Sequence, residues 1–90
     1  MRLRWLRESI SDLGKIRAYV ARDNARAAEG VRLQIVETTR QLEHLPRLGH
    51  LGRRAGTREL NVPGLPYIIV YRIAGDELVI LGIFHGAQER

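Results

Sequence analysis

The sequence predicts an α+β domain: an N-terminal strand, then a helical hairpin packed on a small antiparallel sheet, in the order β-α-α-β-β-β. Three observations carry that prediction. The hydrophobic pattern changes at Arg7 from strand-like alternation to helical spacing. A stripe of apolar residues at helical spacing runs from Ala28 to Leu45 and is stopped by Pro46. Two apolar runs, residues 66–73 and 77–84, then follow each other across the turn Ala74-Gly75-Asp76.

Each element follows from its residues. Residues 2–6 alternate basic and apolar, with Leu3 and Trp5 on one side, which is the pattern of a short strand. After Arg7, Ile10, Leu13, Ile16 and Val20 recur at three or four residues and form one helix face. Gly14 weakens this helix by about 1 kcal/mol relative to Ala, unless close helix packing requires it. Asp23 and Asn24 break the pattern, and either can cap a second helix by accepting a free N–H of its first turn. In that helix Ala28, Val31, Ile35, Thr38, Leu42 and Leu45 step by 3, 4, 3, 4, 3, with Arg26, Glu37, Arg40 and Glu43 opposite. So short a break between two helices makes an antiparallel hairpin.

Residues 46–56 hold glycines at 49, 52 and 56 and read as a loop. Residues 57–62 form a strand closed by Pro63-Gly64. Residues 66–73 are apolar enough to be buried on both faces, and 77–84 form the last strand. Short connections make these strands antiparallel, and the first strand is expected to return beside them. Within 66–73, Tyr67, Ile69 and Tyr71 share one face, while Ile68, Val70 and Arg72 share the other.

Composition bounds the function. Ninety residues make one domain, residues 1–90, with 44% hydrophobic and 28% charged side chains. There is no cysteine, which excludes disulfides and thiolate metal sites. No apolar run approaches the roughly 18 residues that cross a bilayer. The basic start Met1-Arg2-Leu3-Arg4 is not followed by an apolar signal region before Glu8 and Asp12. The expectation is a cytoplasmic protein with no membrane contact. The net charge is +5, and 14 of the 15 Lys and Arg residues are arginine. Guanidinium forks fit carboxylates and phosphates, so the charge predicts an acidic partner, protein or nucleic acid.

Standard catalytic constellations are missing. There is no P-loop, no GxGxxG and no HExxH. His44 and His50 have no carboxylate or thiol at ligand spacing, and Ser9 and Ser11 no histidine partner, so no metal or cofactor is expected. Three features remain. Arg47, Arg53 and Arg54 lead into Arg58, with no acidic residue between Glu43 and Glu59, and suit phosphates or an acidic peptide. Tyr67 and Tyr71 read as core residues with phenol groups at the rim, beside an Arg72 that needs Glu77 or Glu59 as a partner. His85, directly after the last strand, is of a type that moves protons near neutral pH.

Thr57-Arg58-Glu59-Leu60, the run from Pro66 to Ile73, and Phe84-His85-Gly86-Ala87-Gln88 resemble the C-terminal half of RelE/ParE toxins. The first half is similar to the same family. It has Trp5 before a helix, Asp12-Leu13 with Ile16 and Tyr19, Asn24 with Ala27-Ala28, and Leu45-Pro46 followed by Gly49 and Gly52-Arg53. Each motif is short; their order and spacing cover nearly the whole chain.

The resemblance implies a bacterial toxin of a type II toxin–antitoxin pair, with the fold above. RelE-like members cut mRNA on the ribosome, and ParE-like members poison DNA gyrase. The ParE branch fits better. Many ribonuclease members have Arg directly after the central-strand Tyr, where this chain has Ile68, and a Tyr after the last strand, where this chain has Gly86-Ala87-Gln88-Glu89-Arg90. A ribosome-dependent endoribonuclease is the alternative, with Arg58, Arg72 and His85 as its catalytic set. Target contacts are expected from Arg58, Tyr71, Arg72 and His85. The family's antitoxin wraps its C-terminal segment around the toxin, and the complex can sit on operator DNA. Leu33 and Val36 fall off the stripe of the second helix and, with Arg53, Arg54 and Arg58, are the expected antitoxin contacts.

Overall fold

The computed structural model describes residues 1–87. The N-terminal alternation forms β1 (Arg2–Trp5), with Leu3 and Trp5 packed on the core. The chain turns at Leu6 into α1 (Arg7–Ala21), then α2 (Ala25–Arg40) and a 3-10 turn (Gln41–Glu43). Four strands follow: β2 (His50–Leu51), β3 (Arg58–Asn61), β4 (Tyr67–Ala74) and β5 (Glu77–His85). The sheet order is β1-β5-β4-β3-β2. β1 runs parallel to β5, and every other pair is antiparallel. This is the α+β arrangement that the sequence implied, with one strand added. β2 lies where residues 46–56 read as loop, because two residues are too few to show alternation.

The hairpin is set by chemistry local to the break. Asn24 caps α2, its Oδ1 accepting from the Ala27 N–H at 3.0 Å. Glu29 joins the two helices, paired with Arg17 and Arg32. The hydrogen bond from Arg32 holds the Glu29 carboxyl below its ordinary range. Arg17 is exposed and Glu29 and Arg32 are half-buried at the surface, so the pairs orient the helices more than they stabilise them. Along α2 and the 3-10 turn the stripe Ala28, Ile35, Thr38 and Leu42 is buried, but Leu45 is exposed because the helical phase ends with that turn.

The inward face of α1 departs from expectation. It carries Ser9, Leu13, Ile16 and Val20, whereas Ile10 is exposed. The start of the helix fixes this phase: Ser9 Oγ donates to the Leu6 carbonyl at 2.6 Å and the side chain is fully buried. At about 100° per residue, Ile10 then lies roughly 90° from the middle of that face. Gly14 is not a packing glycine either, since a Cβ added there would meet no atom within 4 Å, and the same holds at Gly30. Gly14→Ala and Gly30→Ala should each stabilise the protein by about 0.5–1 kcal/mol in a urea titration. An unchanged midpoint would contradict the exposed setting.

The core fills the space between the hairpin and one sheet face. Its centre is Ile35, Leu42, Ile69, Tyr71, Leu78 and Ile80. Simple alternation along β5 would turn Ile83 away from Leu78 and Ile80. A register shift prevents this: Tyr71 pairs with Ile80, but Val70 pairs with Gly82, leaving Leu81 as an extra residue. The bulge returns Ile83 to the core face, where it is 3% exposed.

Candidate functional site

Residues 44–57 form a basic strap tied down by side chains of β3 and β4. Tyr71 is fully buried, yet its hydroxyl accepts from the Gly49 N–H at 2.9 Å and donates to the Pro46 carbonyl at 2.7 Å. Arg58 Nη1 donates to the Gly49 carbonyl at 2.7 Å. The Glu59 carboxylate accepts from the Arg53 N–H at 3.1 Å, and Thr57 Oγ1 donates to the Arg54 carbonyl at 2.7 Å. Gly49 has to be glycine, because a Cβ there would lie 2.8 Å from both the Glu59 carbonyl and the Tyr71 hydroxyl. Burial pushes the Tyr71 phenol above its ordinary range, and burial does the same at Tyr67, aided by Tyr19.

Alternation along β3 splits the arginines that the sequence grouped. Arg58 pairs with Tyr71 and faces the helix side; Glu59 pairs with Val70 on the opposite face. Arg53 and Arg54 lie on the Glu59 side. With Thr57, Val70, Leu81 and Phe84 they border a cavity of about 300 Å³. The bulge helps to build that cavity, by turning Phe84 to the face that Leu81 already borders. Leu33 is exposed and Val36 half-buried on α2, across the sheet from this cavity. The five residues expected at one antitoxin surface therefore lie on three: α2, the helix-free sheet face, and the underside of the strap.

The remaining expected residues also separate. Tyr71 was expected to touch a target; its side chain is inaccessible, so its part is to hold the strap. Arg72 is exposed on the helix-free face and does not take Glu77, which pairs with Arg4 at 3.2 Å. Arg72 and Arg4 flank the fully buried Val79 in register. An exposed arginine whose stem lies beside an apolar neighbour needs no buried counter-ion. His85 closes β5, paired with Tyr67 and set edge-on to its ring at 5.9 Å. It lies beside a groove shared with Lys15, Tyr19 and Pro66, at the far end of β4 from Arg72. The tail residues 88–90, whose lack of Tyr bore on the branch, lie outside the described residues.

Other groups escaped the sequence. Asp12 Oδ2 accepts from the Ile83 N–H at 3.0 Å, tying α1 to β5 beyond the end of β1. Leu45, Leu48 and Leu51 are all exposed on the strap, three residues apart; that spacing in a glycine-containing, acid-free loop was the available signal. Among the described residues no group of three His, Asp or Glu is placed to hold a metal ion. No helix among them is long and apolar enough to cross a membrane.

Comparison with known proteins gives one consistent family. The family model for the ParE toxin of type II toxin–antitoxin systems, parDE, matches residues 3–90. Protein Y4kP of Sinorhizobium fredii, named as a toxin, is 38% identical over 88 residues, which is 98% of this chain and 91% of that protein. A chain of the chromosomal ParDE system of P. aeruginosa superposes with a TM-score of 0.86 at 28% identity, covering 94% of this chain and 95% of its own. A chain of the RelBE2 toxin–antitoxin complex of Mycobacterium tuberculosis gives 0.65 at 28% identity, covering 93% and 95%.

Proposed function

The chain belongs to the ParE toxins of type II toxin–antitoxin systems, and from that premise we propose that it arrests its host in the cytoplasm by binding DNA gyrase, without cutting RNA. What supports the binding reading is the separation of Arg58, Arg72 and His85. Strand cleavage of RNA needs a proton-transfer group and cationic donors within hydrogen-bond reach of one phosphate. His85 pairs with Tyr67, and Arg72 stands five residues further along β4. At strand spacing that is roughly 17 Å, on the opposite face. Arg58 spends a donor on the Gly49 carbonyl.

The test is a gyrase supercoiling assay run beside a translation-coupled mRNA cleavage assay. Lost supercoiling or trapped gyrase–DNA cleavage complexes with intact mRNA is the expected result. Cleaved mRNA with unaffected gyrase rejects the proposal in favour of the ribonuclease.

A cognate antitoxin neutralises the toxin in this reading. Leu33 and Val36 on α2 and Arg53 and Arg54 beside the cavity lie on opposite sides of the sheet. A segment touching both has to pass round the molecule, which suits an antitoxin that wraps. The paired substitutions Leu33→Ala and Val36→Ala should weaken the complex by more than about 1 kcal/mol, roughly fivefold in Kd. Unchanged affinity by calorimetry would remove α2 from the interface.

A further inference from the structure

The strap has a second side that the antitoxin contacts above do not use. Leu45, Leu48 and Leu51 are 56%, 45% and 77% exposed, three of the larger apolar exposures on the protein. A loop that only needed to be soluble would carry polar residues at these positions. Solvent-facing apolar clusters rimmed by polar groups mark interaction surfaces. Basic groups surround these leucines: His44 and Arg47 line one depression with Leu45 and Leu48, and Arg47 and Arg58 line the next with Leu51. No acidic residue occurs between Glu43 and Glu59.

The strap is also rigid in the way a binding surface needs. Tyr71, Arg58, Glu59 and Thr57 hold its backbone at five hydrogen bonds. A loop already ordered in its binding shape loses little entropy on association. These side chains thus have a clear effect on the surface: they present three leucines and an arginine in fixed positions.

We infer that the outer side of the strap, Leu45, Arg47, Leu48 and Leu51, is the surface with which the toxin docks on an acidic, apolar-pocketed region of its protein target. Charge complementarity sets the sign of the partner. The leucines set its class. Phosphate backbones offer nothing to a leucine, and residues 44–58 contain no Phe, Tyr or Trp on which a base could stack. Arg53 and Arg54 face the cavity on the other side, so the antitoxin and the target use different sides of one loop. That the target is gyrase rests on the proposed function; that the strap docks on a protein does not.

The test uses the full chain and its antitoxin, with two variants. One is the double substitution Leu45→Ser and Leu48→Ser; the other is Arg47→Glu. All three positions are exposed, and an unchanged thermal melt by circular dichroism reports that each variant is folded. Expected are a loss of roughly tenfold or more in growth arrest for both variants, and antitoxin affinity within about twofold of the parent. Full arrest by both variants overturns the inference. So does a matching loss of antitoxin affinity, which would assign the strap to the antitoxin. Loss with Arg47→Glu alone would point to nucleic acid and also overturns it. If the leucine variant loses arrest while the parent toxin leaves gyrase untouched, the docking surface stands and the gyrase reading falls.

Discussion

Tyr71→Ala should cost about 3–5 kcal/mol, the range for removing a large buried aromatic side chain. A domain of this size has roughly 5–13 kcal/mol in all, so one substitution takes a large share of its stability. Two losses combine. The ring sits at the centre of the core between hairpin and sheet, and the hydroxyl is the meeting point of strap and strand. Tyr71→Phe separates them. It keeps the ring and leaves the buried Gly49 N–H without its acceptor, for about 1–3 kcal/mol. For so small a domain that lowers Tm by roughly 5–20 °C. Both variants should also loosen the strap, so trypsin should cut at Arg47, Arg53 or Arg54 faster than in the parent. Equal cleavage rates in parent and Phe variant would mean that the hydroxyl does not hold the loop.

The same residue gives a pH dependence whose sign is fixed. Burial raises the phenol pKa of Tyr67 and Tyr71 in the folded state. Above about pH 10 the unfolded chain gives up these protons first, while the folded chain keeps them. Stability is therefore whole below pH 10 and falls as pH rises toward the folded-state pKa, by up to about 1.4 kcal/mol per pH unit for each tyrosine. The Phe variant should lose one tyrosine's share of that slope.

Asp12→Ala is expected to be the next most damaging change, at about 1–3 kcal/mol. β1 ends at Trp5, and the Leu6 N–H bond to the Ile80 carbonyl continues its line by one residue. Beyond that point the edge of β5 has no strand beside it, and the Asp12 carboxylate accepts from the Ile83 N–H in its place. Removing the carboxylate leaves that N–H without its partner next to the bulge that turns Ile83 inward. Asp12→Asn keeps an acceptor oxygen and should cost less than half as much. Hydrogen exchange at the Ile83 amide should accelerate in the Ala variant and much less in the Asn variant; equal protection in the two would show that the bond is not what stabilises this edge.

Much of this molecule is legible in one dimension. The helical hairpin, its Asn24 cap, the core stripe of α2, the long apolar strands and the family itself all follow from residues close together in the chain. Propensity, capping and turn chemistry act over a few residues, so a sequence can show them. The burial of Tyr71 is legible as well, from its place on a strand face with Tyr67 and Ile69.

What the sequence left open depends on pairs far apart in the chain. Alternation could not foresee that Leu81 would be extra, because a bulge is a property of two strands in register. That one residue decides that Ile83 joins the core, that Phe84 borders the cavity, and which side His85 takes. Nor could spacing show that Arg58 would face Gly49 while Arg53 and Arg54 turned to the other side of the sheet. Nor could spacing show that Asp12 would accept from the Ile83 N–H, since that follows from β1 ending opposite Ile80 and leaving the rest of the β5 edge uncovered. All the elements but the two-residue β2, their order and the family follow from the chain read alone. The tertiary structure decided which charges share a face, because each face is set by strand register, and register is fixed only when the whole sheet assembles.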